Sequence, residues 1–215
     1  LGLSGFAFWS HDVPGFHGVP DFMNTWPSTE LYVRWTQVGV FTSHLRYHGA
    51  QPREPYAYPE AAPVVREWLK LRYALIPYLT AQAEKAVRTG LPLFRALIFH
   101  HEDDPAAWHI DDQFYCGDSF LVAPILNPSG VRDVYLPAGD WVDFWTGEVL
   151  PGPRLLKGAK TPLARMPVFV PRGAAVQYYP LPVQCTGQMD LSRVRDLAFD
   201  ETYRGLSGSP LGEII

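Results

Sequence analysis

Residues 1–16 have the sequence LGLSGFAFWSHDVPGF, an apolar and aromatic run that gives way abruptly to polar side chains. From Leu3 to Trp9 the residues are continuously apolar or small, which is typical of a strand buried on both faces of a parallel sheet. Asp12 follows this run, and Pro14 then begins a turn. In α/β proteins, polar groups at the carboxyl ends of parallel strands line the active site. Asp12 is therefore a candidate site residue, although a carboxylate that only caps a turn would give the same pattern.

A second short strand is predicted at residues 44–49, HLRYHG, and it also ends in a polar group, His48. A lone histidine is often a hydrogen-bonded core residue, but polar groups after two successive strands favour a shared site. Arg46 would point to the same side of the strand as His48, and the sequence is also compatible with Arg46 as a simple ion-pair partner.

Two helices complete the first part of the chain. Ser28 can cap a helix whose apolar residues recur at helical spacing up to Phe41. A long helix is predicted from about Pro63 to Arg88, with a bend at Pro77 and a C-terminal cap at Gly90. The order strand, helix, strand, helix over residues 1–90 indicates part of an α/β fold.

From Leu93 onward the pattern changes to short apolar runs separated by turn formers, which predicts an antiparallel β-domain. We therefore divide the chain into residues 1–92, residues 93–185 and a tail, residues 186–215, in which no regular element is predicted.

Composition excludes several classes of function. The 215 residues carry a formal net charge of −4, which argues against nucleic-acid binding, and no apolar run is long enough for a membrane span. Residues 100–112, HHEDDPAAWHIDD, are rich in histidine and acidic residues, but their spacing fits neither a zinc nor a calcium motif. A solvated polar loop explains them better. No metal and no cofactor is expected, because a phosphate-binding glycine loop is also absent.

Six blocks of this sequence, in order, resemble glycoside hydrolase family 31, the α-glucosidase and α-xylosidase family. They cover roughly residues 1–177 and are GLSGFAFWSHDVPGF, LYVRWTQVGVFTSHLRYHG, LKLRYALIPYL, DDQFYCGDSFLVAPIL, VYLPAGDWVDFWTG and MPVFVPRGA.

The resemblance implies a fold of the α/β plus all-β class. Residues 1–92 would be the last two βα units of a (β/α)8 barrel, strands seven and eight, and an antiparallel β-sandwich domain would follow. In the family the aspartate nucleophile follows strand four and the aspartate acid/base follows strand six, so neither has a counterpart in this sequence. The expected partner is therefore the missing N-terminal part of the barrel, without which we expect no activity. Self-association into a homo-oligomer is left open.

By motif, the resemblance places Asp12 and His48 around the sugar in the −1 subsite, and Phe16 as an apolar wall. The family pattern Asp-Ile-Gly-Gly-Phe is Asp-Val-Pro-Gly-Phe here, and Pro14 makes the transfer less secure for Phe16. The implied substrate is a terminal α-xyloside or α-glucoside. Two other functions stay open at this point: a non-catalytic carbohydrate-binding or interaction module, and a metal-dependent hydrolase built on residues 100–112.

Overall fold

The computed structural model describes all 215 residues, and the predicted parallel sheet is present in a very short form. Strand β1 (Asp12–Val13) pairs in parallel with β2 (Arg46–Tyr47), with Asp12 opposite Arg46. The second predicted strand is thereby confirmed, although it is shorter than residues 44–49.

The prediction of a strand from Leu3 to Trp9 is wrong. Gly2–Ser4 form a 3₁₀ turn, Gly5 adopts the left-handed conformation with φ of 87°, and the rest of the segment is irregular. A strand requires a continuous hydrogen-bonded neighbour, and this segment finds only isolated partners. The Trp9 N–H donates to Ser43 Oγ at 3.0 Å, and the Ala7 carbonyl accepts from Leu93 N–H at 3.1 Å.

Helix α1 (Thr29–Val40) begins as predicted, because Ser28 Oγ accepts a hydrogen bond from the Leu31 N–H at 3.2 Å. The single long helix predicted from Pro63 to Arg88 is instead two helices, α2 (Ala62–Ala74) and α3 (Ile76–Thr89). The break falls just before Pro77, which lacks an N–H and cannot continue the helix ladder. Gly90 ends α3 with φ of 77°, as predicted.

The remainder of the chain is antiparallel, as predicted. Its strands are β3 (Phe94–Arg95), β4 (Phe114–Cys116), β5 (Phe120–Val122), β6 (Val131–Asp143), β7 (Val149–Lys160), β8 (Val168–Pro171), β9 (Ala175–Tyr178) and β10 (Arg195–Ala198). Six of them form one sheet in the order β3-β4-β5-β8-β6-β7, and β9 and β10 form another.

Strand β10 contradicts the expectation that residues 186–215 contain no regular element. It pairs with β9 over four residues, from Arg195 opposite Tyr178 to Ala198 opposite Ala175. Leu197, Phe199 and Tyr203 are buried in the same cluster as side chains from both sheets and from α2 and α3. The sequence does not indicate β10, because turn-forming residues separate the apolar residues of the tail and the alternation typical of a strand is absent.

Helices α1 and α2 hold the connection between β7 and β8 through its backbone carbonyls. Gln37 Nε2 donates to the Leu163 carbonyl at 2.7 Å, and Arg34 Nη1 donates to the Arg165 carbonyl at the same distance. Trp68 Nε1 donates to the carbonyl of the residue between them at 3.0 Å. These side-chain bonds fix the helical part of the chain against the β-domain. None of the helices has both the length and the apolar content that a membrane-spanning helix needs.

Candidate functional site

The parallel pair places Asp12 in one strand and His48 directly after the adjacent strand, two register positions apart. Asp12 is opposite Arg46 in β1 and β2, and the His48 N–H donates to the Val13 carbonyl at 3.2 Å. His48 follows the last residue of β2, as predicted, whereas Asp12 is itself the first residue of β1 and not a residue that follows a strand.

Arg46 binds the Asp12 carboxylate directly. Its Nε and Nη2 atoms both lie close to Asp12 Oδ1, at 2.7 and 2.6 Å. The Asp12 side chain is 19% exposed, whereas that of Arg46 is 58% exposed. No group of the chain donates to Asp12 Oδ2, so this oxygen can accept a hydrogen bond from a ligand hydroxyl.

Phe16 lies beside His48. The two ring centroids are 5.5 Å apart with a tilt of 52°, and the Phe16 ring is 43% exposed. The turn that presents Phe16 depends on Gly15, whose φ is 104°, and on Arg53, whose Nε donates to the Gly15 carbonyl at 3.0 Å. A side chain at residue 49 would place Cβ within 2.7 Å of the Phe16 carbonyl oxygen, so glycine is needed there as well.

His11, the residue before Asp12, is held in place by a side chain of helix α1. Its Nδ1 accepts a hydrogen bond from Trp35 Nε1 at 2.8 Å, which assigns the ring proton to Nε2. Burial lowers the pKa of His11, and the charge of Asp12 opposes that shift only in part. His11 is therefore neutral at neutral pH, and it was not among the site residues predicted from the sequence.

Residues 100–112 do not gather their histidine and acidic side chains into one cluster, and three of these side chains contact other partners. His101 Nε2 is 2.7 Å from the Tyr115 hydroxyl, and His100 Nε2 is 3.0 Å from Arg95 Nη1. The Asp104 carboxylate accepts from the Tyr135 hydroxyl at 2.6 Å. Nowhere in the chain do three or more histidine, cysteine or acidic side chains come together as metal ligands would.

The arrangement of Asp12, Phe16 and His48 suits recognition of a hydroxylated ring. A carboxylate oxygen accepts hydroxyl hydrogen bonds, an imidazole can donate or accept one, and a phenyl ring packs on apolar C–H groups. A second carboxylate beside Asp12 is absent, since the nearest ionised partner is Arg46. The site can therefore bind and orient, but by itself it offers no pair of carboxyl groups for catalysis.

Comparison with protein-family models gives two matches that follow the chain in order. Residues 1–82 match the model described as the TIM-barrel domain of glycosyl hydrolases family 31, and residues 90–176 match the C-terminal domain of the same family. The matched segments meet near the C-terminal end of α3.

Similar proteins are carbohydrate-active enzymes. Alpha-glucosidase 2 of Bacillus thermoamyloliquefaciens is 40% identical over 181 residues, covering 82% of this chain and 22% of its own length. The alpha-xylosidase of Saccharolobus solfataricus is 36% identical over 179 residues, 81% of this chain and 24% of its own. A family 31 dextranase of Flavobacterium johnsoniae, solved with isomaltotriose, superposes with a TM-score of 0.75 at 35% identity, covering 85% of this chain and 22% of its own. The chain therefore spans about a quarter or less of the length of these relatives.

Proposed function

Because this chain belongs to glycoside hydrolase family 31, we propose that it forms part of the active site of a retaining α-glycosidase. In this proposal β1 and β2 are the seventh and eighth strands of a (β/α)8 barrel, and the antiparallel strands of residues 93–185 form a β-sandwich. The substrate is an oligosaccharide or glycoside with a terminal α-linked xylose or glucose. The single observation that supports the proposal is that Asp12 lies in one strand of the parallel pair and His48 directly after the other, with Phe16 packed beside His48.

Asp12 and His48 are proposed to bind the hydroxyl groups of the terminal sugar, and Phe16 to pack against its apolar face. Such hydrogen bonds assist hydrolysis when they strengthen as the ring flattens towards the oxocarbenium-like transition state. The two carboxyl groups that attack the anomeric carbon and protonate the leaving oxygen are proposed to come from barrel segments other than residues 1–215. The isolated chain is accordingly expected to bind sugar weakly and to hydrolyse none.

A chimeric enzyme tests this assignment. Residues 1–176 would replace the matching segment of the Bacillus thermoamyloliquefaciens alpha-glucosidase, and hydrolysis of aryl α-glucoside and aryl α-xyloside would be measured. We expect His48→Ala to lower kcat/KM by about 10- to 100-fold, the effect of losing one buried polar contact, and Asp12→Ala to lower it at least as much. The matched controls are Asp103→Ala and His109→Ala, which remove an exposed carboxylate and an exposed imidazole elsewhere.

Two results would contradict the proposal. One is a folded chimera that hydrolyses neither substrate, or one in which the Asp12 and His48 variants behave like the controls. The other is turnover by the purified 215-residue chain that disappears in Asp12→Ala, because the chain would then carry its own catalytic groups.

A further inference from the structure

A row of aromatic rings leads away from the candidate site along the loop between β1 and α1. The row comprises His48, Phe16, Phe22 and His17. The Phe16 and Phe22 centroids are 6.3 Å apart with an edge contact of 61°, and Phe22 stacks on His17 at 4.6 Å and 19°. The row therefore continues from the Phe16–His48 contact along the exposed surface of the loop.

Phe22 is held outward by its own loop rather than by the core. Asp21 Oδ1 accepts from the backbone N–H of Met23 at 3.0 Å and of Asn24 at 3.2 Å. The Asp21 N–H in turn donates to Thr25 Oγ1 at 3.1 Å. The loop also closes tightly at Gly18, where a Cβ would lie 2.2 Å from the Thr25 carbonyl oxygen.

The result is an apolar ring that is 50% exposed although its backbone is well fixed. A phenyl ring gains by removing its faces from water, so a fixed and half-exposed phenylalanine has a face available for a ligand. The face lies one ring beyond Phe16 in the row.

We infer that Phe22 is the stacking platform for the sugar ring of the leaving group, and that it sets a preference for substrates with a second ring. This inference rests on the proposed function. If Asp12 and His48 bind the terminal sugar, the next ring of the substrate must lie beyond them, and Phe22 is the aromatic ring that follows Phe16 in the row. The C–H face of a pyranose can pack on the phenyl ring while its hydroxyl groups stay hydrated.

The test compares two substrates of the chimeric enzyme. Isomaltose has a second sugar ring as its leaving group, whereas α-glucosyl fluoride releases only fluoride and has nothing to place on Phe22. The measured quantity is the ratio of kcat/KM for isomaltose to kcat/KM for the fluoride. We expect Phe22→Ala to lower this ratio by about 10-fold, the size of one aromatic stacking contact, and Phe22→Trp to restore it. Trp108→Ala, which removes an exposed aromatic ring from the β-domain, is the control.

The outcomes separate the inference from the proposed function. An unchanged ratio in Phe22→Ala overturns the platform; if kcat/KM falls equally on both substrates, the ring has a structural role instead. Wild-type hydrolysis of the fluoride by Asp12→Ala and His48→Ala would instead overturn the proposed function. If a chimera does not fold, saturation-transfer NMR of the 215-residue chain with isomaltose gives the same decision. If the reducing-end ring loses its saturation signal in Phe22→Ala, the platform is supported. If that signal is retained, or if the unmutated chain saturates no part of isomaltose, the platform is contradicted.

Discussion

Arg72 connects the end of α1 to the segment that carries His48, and replacing it should destabilise both. The guanidinium extends from α2 and donates to three carbonyls, those of Val40 at 2.7 Å, Thr42 at 2.5 Å and Ser43 at 2.9 Å. These carbonyls belong to the last turn of α1 and the residues after it, where helix carbonyls have no partner within the helix. Arg72→Met keeps much of the apolar stem and removes all three donors.

The expected loss follows from the number of bonds and their surroundings. Hydrogen bonds to a charged group contribute about 1.5–3 kcal/mol each. Arg72 borders an open cleft of about 360 Å³, so water can reach part of the vacated space and the loss should lie well below three full bonds. We expect the free energy of unfolding to fall by about 3 kcal/mol, which for a chain of this size lowers Tm by roughly 6–12 °C.

Urea unfolding followed by tryptophan fluorescence measures this loss, with Arg66→Met as the control because Arg66 lies on the exposed side of the same helix. Arg72→Lys should fall between the wild type and Arg72→Met, since one ammonium group cannot reach three carbonyls in the geometry of a fork. If Arg72→Met unfolds at the same urea concentration as Arg66→Met, the three carbonyls are satisfied equally well by water and the reasoning is wrong.

Two further predictions concern stability. Partial burial and the neighbouring Arg95 guanidinium lower the pKa of His100 to about 4; because the unfolded chain binds this proton near pH 6.5, the free energy of unfolding should fall as the pH decreases from about 6.5 towards 4. In urea titrations at pH 7 and 5, His100→Gln should reduce this dependence of the unfolding free energy on pH. It should not abolish the dependence, because burial also lowers the pKa of His11 and of His101. A pH dependence equal to that of the wild type would contradict the assignment. Gln37→Leu removes the donor to the Leu163 carbonyl and should cost about 1–2 kcal/mol in the same assay, whereas an unchanged midpoint would show that the contact between α1 and the β7–β8 connection is not needed.

Features set by local chemistry could be predicted from the sequence. Ser28 begins α1, Gly90 ends α3, and the proline at residue 77 interrupts the helical run, because each acts through its own backbone geometry or hydrogen bonds. The rule that polar groups follow parallel strands predicted the place of His48 after β2, but Asp12 lies within β1 and does not follow a strand over Leu3 to Trp9.

Features set by distant partners could not be predicted in the same way. The apolar residues from Leu3 to Trp9 have the composition of a buried strand, but a strand exists only where a neighbour supplies a hydrogen-bonded edge. In this chain that segment has isolated partners, and Leu3 and Phe6 remain 71% and 55% exposed. β10 shows the reverse case, because its register with β9 creates a strand that its own sequence does not indicate.

The contact between Arg46 and Asp12 bears on the chemical role proposed for Asp12. Arg46 lies two residues before His48, and the sequence is compatible with it as a site residue or as an ion-pair partner; in the structure two of its nitrogens converge on a single oxygen of Asp12. One carboxylate oxygen is thereby committed to the protein, and only Oδ2 remains for a ligand. A nucleophile or an acid must give its reacting oxygen to the anomeric carbon or the leaving group, opposite a second carboxyl group at short distance. Within residues 1–215 the charged partner of Asp12 is Arg46 and not a second carboxyl group. The role proposed for Asp12 is therefore that of a fixed acceptor, with Oδ2 free for a sugar hydroxyl.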